Sequence, residues 1–142
     1  MLMQIFIGSS TIAATVIIQV VFIGTLTKVL SRFGHHLSRP PYTRNFIIAL
    51  VFIVLWLVAG LTVSSWLWAA VFLMIGAFDS IEPAIYFSVV TFTTLGYGDI
   101  TLTNEWRLLG SISSLNGLII VGLNTAFLAE AISRINKAQQ IK

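Results

Sequence analysis

Three apolar runs, each long enough to cross a lipid bilayer, limit what this chain can become more than anything else in its sequence. A hydrocarbon core takes about 20 helical residues to cross. Residues 3–26, a run opening at Asn45, and a run from near Trp106 to near Ser133 all reach that length. Only 9% of the chain is charged, against roughly 25% in soluble domains, so it has too few charges to solvate its own surface. The surroundings of most of this protein are lipid.

The sign of the remaining charge gives an orientation. Lys28, Arg32, Arg39 and Arg44 lie between the first two runs, and Arg134, Lys137 and Lys142 follow the third. The segment 79–107 instead holds Asp79, Glu82, Asp99 and Glu105, with Arg107 as its one basic residue. Basic residues favour the cytoplasmic side, so the connector and C-terminus are expected inside, and the N-terminus and segment 79–107 outside. The net charge of +3 therefore reads as topology anchors beside apolar spans, and no nucleic-acid partner is expected. Residues 1–27 lack a basic leader, and their apolar run exceeds the roughly 7–15 residues of a signal core, so they read as a retained helix.

The second run is too long for one simple crossing. As a straight helix, residues 46–78 would measure roughly 50 Å, against a hydrocarbon core of roughly 30 Å. We expect an outward crossing over about 46–64 and a bent or separate segment over 66–78. Trp66 and Trp68 suit the outer interface. Between the first two runs, Pro40-Pro41 rules out helix continuation, and 31–44 is expected to be a polar connector.

After Asp79 the chain starts another helix. Asp79 followed by Glu82 fits a capping pair, and Pro83 is tolerated only in a first turn, which supports a start at Asp79 or Ser80. This helix would end near Phe92, too short to span, so the segment must enter and leave on one side. Such a re-entrant loop survives only where protein or a watery path covers its backbone.

The residues that follow, Thr93-Thr94-Leu95-Gly96-Tyr97-Gly98-Asp99, resemble the signature of potassium channels. The resemblance extends over about residues 45–135 and keeps the spacing from the filter Asp99 to the Trp106 that leads the last helix. Dehydrating K⁺ requires a full shell of replacement oxygens, which stacked backbone carbonyls from four chains supply. Aiming successive carbonyls one way demands alternating backbone handedness, which Gly96 and Gly98 adopt cheaply.

By the resemblance, Thr94, Leu95, Gly96, Tyr97 and Gly98 form the selectivity filter, and the carbonyls of Thr94, Leu95, Gly96 and Tyr97 hold K⁺, with no organic cofactor. Thr93, Asp99 and Tyr86 would support it, and Tyr97 would point away from the ions. Leu95 stands where Val is usual. Val90 and Tyr86 stand where some bacterial members carry Glu and Trp, which leaves a Tyr86–Asp99 hydrogen bond as the available buttress.

On the last span, Gly110, Ser114, Gly117, Val121 and Asn124 share a face. That face serves either close helix packing or a water-filled cavity, with Gly117 or Gly122 allowing a gating bend. Asn116 and Asn124 need a partner helix or the cavity. Glu130 either pairs with Arg134 at i+4 or rings the inner mouth, and His35-His36 reads as a solvated pair.

No helix carries Arg at every third position, so a voltage sensor's charges are missing. Zero Cys removes thiolate chemistry, and with no phosphate loop, catalytic carboxylate pair or metal cluster the chain is not expected to be an enzyme.

The expected architecture is an all-α membrane protein: three transmembrane helices plus a re-entrant pore helix and filter loop, assembled as a four-fold homotetramer among membrane lipids. Its parts are an extra N-terminal helix (1–30), a cytoplasmic connector (31–44), a pore domain (45–135) and a cytoplasmic tail (136–142). The expected function is passive K⁺ conduction across a plasma (inner) membrane, with no small-molecule substrate. The alternatives are a weakly selective cation channel and a non-conducting subunit that modifies another channel.

Overall fold

The computed structural model describes residues 1–37 and 42–140, with side chains over 1–32 and 43–137. Every regular element among them is helical: α1 (Leu2–Leu37), α2 (Tyr42–Met74), α3 (Ile81–Phe92) and α4 (Arg107–Gln140). Three of these contain apolar spans long enough to cross a membrane, Leu2–Arg32, Thr43–Met74 and Arg107–Lys137. The side chains of His35 and His36, together with Pro40, Pro41 and Lys142, lie outside the described residues.

α1 continues to Leu37 and α2 begins at Tyr42, so the helix ends take in much of the expected connector. One expectation is corrected: the second apolar run does not break after Ser64. α2 is one helix of 33 residues. Ser64 and Ser65 are buried rather than wetted, and Trp68, Ala69 and Phe72 continue the buried face beyond them. That packing keeps the helix going where bilayer thickness alone would end it.

What stops α2 is a cap. Gly76 takes φ +70°, the Gly76 N–H donates to Leu73 O at 3.0 Å, and the Ala77 N–H donates to Phe72 O at 2.9 Å. This is the paired 5→2 and 6→1 pattern that satisfies a helix's last carbonyls around a left-handed residue. α3 then starts after Ser80, whose backbone is extended but whose side chain makes no capping hydrogen bond. Of the two starts that the sequence allows, Asp79 and Ser80, the N-cap residue is Ser80, and Glu82 lies in the first turn.

The helices pack around two apolar clusters with a polar layer between. One cluster joins Trp68 and Phe72 of α2, Phe87 and Phe92 of α3, and Leu109 and Ile120 of α4. The other joins Leu26 of α1, Ala49, Ile53 and Leu57 of α2, and Ala131 and Ile135 of α4. Between them Gln19 Nε2 donates to Asn124 Oδ1 at 2.6 Å, and the Gln19 carboxamide fills the space that a Cβ at Gly60 would enter, with Oε1 2.7 Å from that position. α1, α2 and α4 thus meet at one buried node.

The contacts also fix directions. Thr15 pairs with Asn116 and Gln19 with Asn124, so α1 and α4 run the same way. Gln19 meets Gly60, and Phe22 O accepts from Trp56 Nε1 at 2.9 Å, so α2 runs against both. Three alternating long helices put the ends of α1 and α4 that follow these contacts at the same end of the bundle.

Gly60→Val should disrupt this node. The new branched side chain would collide with the Gln19 carboxamide and break its bond to Asn124. Overpacking of this kind costs about 1–3 kcal/mol, so thermal unfolding in detergent should occur at lower temperature, while Gly24→Ala, with open space at its Cβ, should leave it near the parent value.

Candidate functional site: the loop after α3

The site is built from the C-terminus of α3 outward. α3 buries Ala84, Phe87, Ser88, Val90 and Phe92, which fixes its axis against α2 and α4. At its end the Thr94 N–H donates to Thr91 O at 3.0 Å and the Leu95 N–H to Val90 O at 3.0 Å. The same paired cap that ends α2 around a glycine here ends α3 around Thr94, at φ +60°. A β-branched residue seldom takes that conformation, which costs about 1–2 kcal/mol outside glycine.

Left-handed backbone then recurs at every second residue: Thr94 at +60°, Gly96 at +55° and Gly98 at +78°. Reversing handedness at alternate residues turns successive peptide units the same way instead of opposing them, as a regular strand would. Strain held at one residue of such a run, where glycine would relieve it, marks a place where backbone shape matters. The sequence pointed to Gly96 and Gly98; Thr94 completes the alternation and could not be read from residue type.

All residues from Thr93 to Asp99 are exposed in the single chain. Tyr97 is 68% exposed and Leu95 54%, so most of the Tyr97 ring surface is left uncovered by the described residues. Behind the loop a cleft of about 460 Å³ opens between α3 and α4, lined by Tyr86, Val90, Asp99, Arg107 and Ser114 among others.

Tyr86 Oη donates to Asp99 Oδ2 at 2.6 Å, tying the far end of the loop back to the middle of α3. The bond holds the Asp99 carboxyl below its ordinary range, with backbone N–H groups adding to the effect, and raises the Tyr86 hydroxyl. At neutral pH the carboxylate is therefore ionised with a proton donor beside it.

The face of α4 divides between neighbours. Gly117 is buried and sits directly on the carbonyl of Phe92, the last residue of α3, where a Cβ would overlap that oxygen. Asn116 donates to Thr15 Oγ1 at 2.7 Å, and Asn124 accepts from Gln19; both take the partner-helix reading. Gly122 is exposed with open space around it, and α4 runs unbroken through both glycines. Glu130 Oε1 accepts from Arg134 Nε at 2.6 Å, an exposed i,i+4 pair. Thr11, Thr15 and Gln19, buried on α1, escaped the sequence reading, although their spacing of four was visible there.

A short helix and an alternately handed loop are held between two long apolar helices. Residues 51–134, more than half of the chain, match the family described as "Ion channel", and the chain belongs to that family, which is not a family of enzymes. Its curated relatives include the A-type voltage-gated potassium channel KCND3 of Rattus norvegicus, Oryctolagus cuniculus and Homo sapiens, each 38% identical over 64 residues. That match covers 44% of this chain and 10% of each relative, so the chain matches about a tenth of their length. No solved structure matches it.

The Tyr86–Asp99 bond gives a pH prediction. A folded-state carboxyl pulled below its unfolded value contributes stability that is present above the unfolded value and lost as pH falls through the folded one. Tyr86→Phe should move the Asp99 titration to higher pH, toward the ordinary range of about 4, followed by carboxyl infrared bands. A titration identical to the parent's would show that the bond does not hold Asp99.

Proposed function

We propose that four copies of this chain form a K⁺-selective channel in which Thr94, Leu95, Gly96, Tyr97 and Gly98 line the ion path as the selectivity filter. One observation carries the reading: left-handed backbone at Thr94, Gly96 and Gly98, inside a sequence that belongs to an ion-channel family. The Thr94, Leu95, Gly96 and Tyr97 carbonyls replace the water a K⁺ ion loses, and K⁺ is the cargo these oxygens hold in passing. Converging carbonyls repel one another until a cation sits between them, so ion and filter stabilise each other.

The four-fold assembly follows from the same loop. One copy surrounds nothing. Exposed backbone in lipid costs several kcal/mol per unpaired group, and α3, 12 residues long, spans only about 18 Å. It therefore enters and returns on one side, and the loop after it needs other copies as walls. Closed cyclic symmetry is the ordinary solution for identical chains. The exposed Leu95 and Tyr97 would pack against neighbouring copies, and Asp99 would add negative charge at the outer mouth. The charge pattern puts the N-terminus outside and the C-terminus in the cytoplasm, with the plasma (inner) membrane as the site of action.

Purified protein in planar bilayers, with K⁺ and Na⁺ on opposite sides, should give a current reversing near the K⁺ equilibrium potential. Gly98→Ala should abolish that current while the protein still inserts and assembles, because a Cβ opposes the left-handed backbone there. A current reversing at zero potential would instead establish a weakly selective cation pore around the bulky Leu95. Native mass measurement in mild detergent should find a tetramer, more persistent in K⁺ than in Na⁺; a dominant dimer would overturn the assembly.

A further inference from the structure

α1 carries polar residues in its buried face, and two of them bond to α4 at chosen places. Thr15 Oγ–H donates to its own helix at Ile12 O, 2.9 Å away, which leaves the Thr15 oxygen lone pairs turned to accept. Asn116 Nδ2 donates to that oxygen at 2.7 Å. Both residues are fully buried. The residue after Asn116 is Gly117, whose bare backbone touches the Phe92 carbonyl, and Phe92 is two residues before Thr94.

A hydrogen bond fixes what apolar contact does not, the rotation of a helix about its axis. Turning α4 by one residue's angle, about 100°, would bring Asn116 or Leu118 against the α3 terminus, and neither leaves room for the Phe92 carbonyl. The second bond, Gln19 to Asn124 at 2.6 Å, pins the same rotation about two turns further along α4.

Resting on the filter assignment above, we infer that α1 seats the filter: Thr15 is a positioning residue that, through Asn116, keeps Gly117 turned toward the Phe92 carbonyl at the filter's base. Gly117 then serves as the seat for that carbonyl. The extra helix acts on selectivity without approaching an ion, and the chain carries inside itself a part that sets the height and angle at which α3 delivers Thr94.

Thr15→Val keeps the side chain's shape and removes the acceptor. An interhelical hydrogen bond of this kind shifts the balance between seated and displaced arrangements by roughly three- to tenfold, and the K⁺ over Na⁺ permeability ratio should fall by a similar factor. The reversal potential is the right readout, because it does not depend on how many channels fold or open. Thr15→Ser should restore the parent ratio. Thr25→Val, which removes a hydroxyl bonded to its own helix at Val21 O, should not change it.

The same variants, purified, should show weakened K⁺ binding by titration calorimetry for Thr15→Val and parent-like binding for Thr15→Ser, a comparison that holds even where no current is obtained. A Thr15→Val protein with parent reversal potential or parent K⁺ affinity overturns the inference while leaving the filter assignment standing. A parent protein that does not discriminate K⁺ from Na⁺ overturns the filter assignment itself.

Discussion

Lipid offers no partner to a bare peptide group, and the structure is arranged around that fact. Long helices satisfy themselves and can be placed almost anywhere in an apolar solvent. A segment with left-handed backbone at residues 94, 96 and 98 depends on its neighbours instead, and its Thr94, Leu95 and Gly96 N–H groups donate to carbonyls of α3. α3 carries it, the Thr94 cap and the Tyr86–Asp99 bond tie its two ends, and α2 and α4 supply two of the walls.

The same rule explains the polar side chains inside the bundle. Gln19, Asn116 and Asn124 are buried, and each is bonded to a different helix from its own. Among apolar side chains that are equally content against lipid or protein, such bonds select one mutual rotation of the helices from several of similar packing quality. The apolar clusters on either side of the Gln19 layer give cohesion; the amides give register. Gly60 and Gly117 complement them, because their bare backbones let the Gln19 carboxamide and the Phe92 carbonyl come close.

Much of this was legible in the sequence, and the misses have physical causes. Run length and charge placement yielded three spanning helices, and the Gly96-Tyr97-Gly98 spacing located the loop, since only glycine takes positive φ freely. Thr94 was opaque for the same reason: nothing in a threonine announces a left-handed backbone, which the α3 cap and the loop impose together. The length of α2 was misjudged by weighing membrane thickness above packing, although Gly76 marked the true stop. The Asp79–Glu82 pair and Pro83 left the start of α3 open between Asp79 and Ser80. In α1, Thr11, Thr15 and Gln19 at intervals of four were passed over because the surrounding apolar residues dominate any average taken along the run.

The unbroken α2 has a consequence for the membrane around it. A helix of 33 residues is about 50 Å long, while hydrocarbon and headgroups together measure about 40–45 Å. Tilt or local thickening of the bilayer would absorb such an excess, each at a modest cost for every ångström of mismatch. Because α2 is fastened to α1 by Trp56, to α3 through Phe72 and Phe87, and to α4 through shared core residues, it cannot lean alone. Bilayer thickness therefore acts on the whole bundle as a mechanical load, and lipids of different chain length would set different angles between the helices that hold the loop.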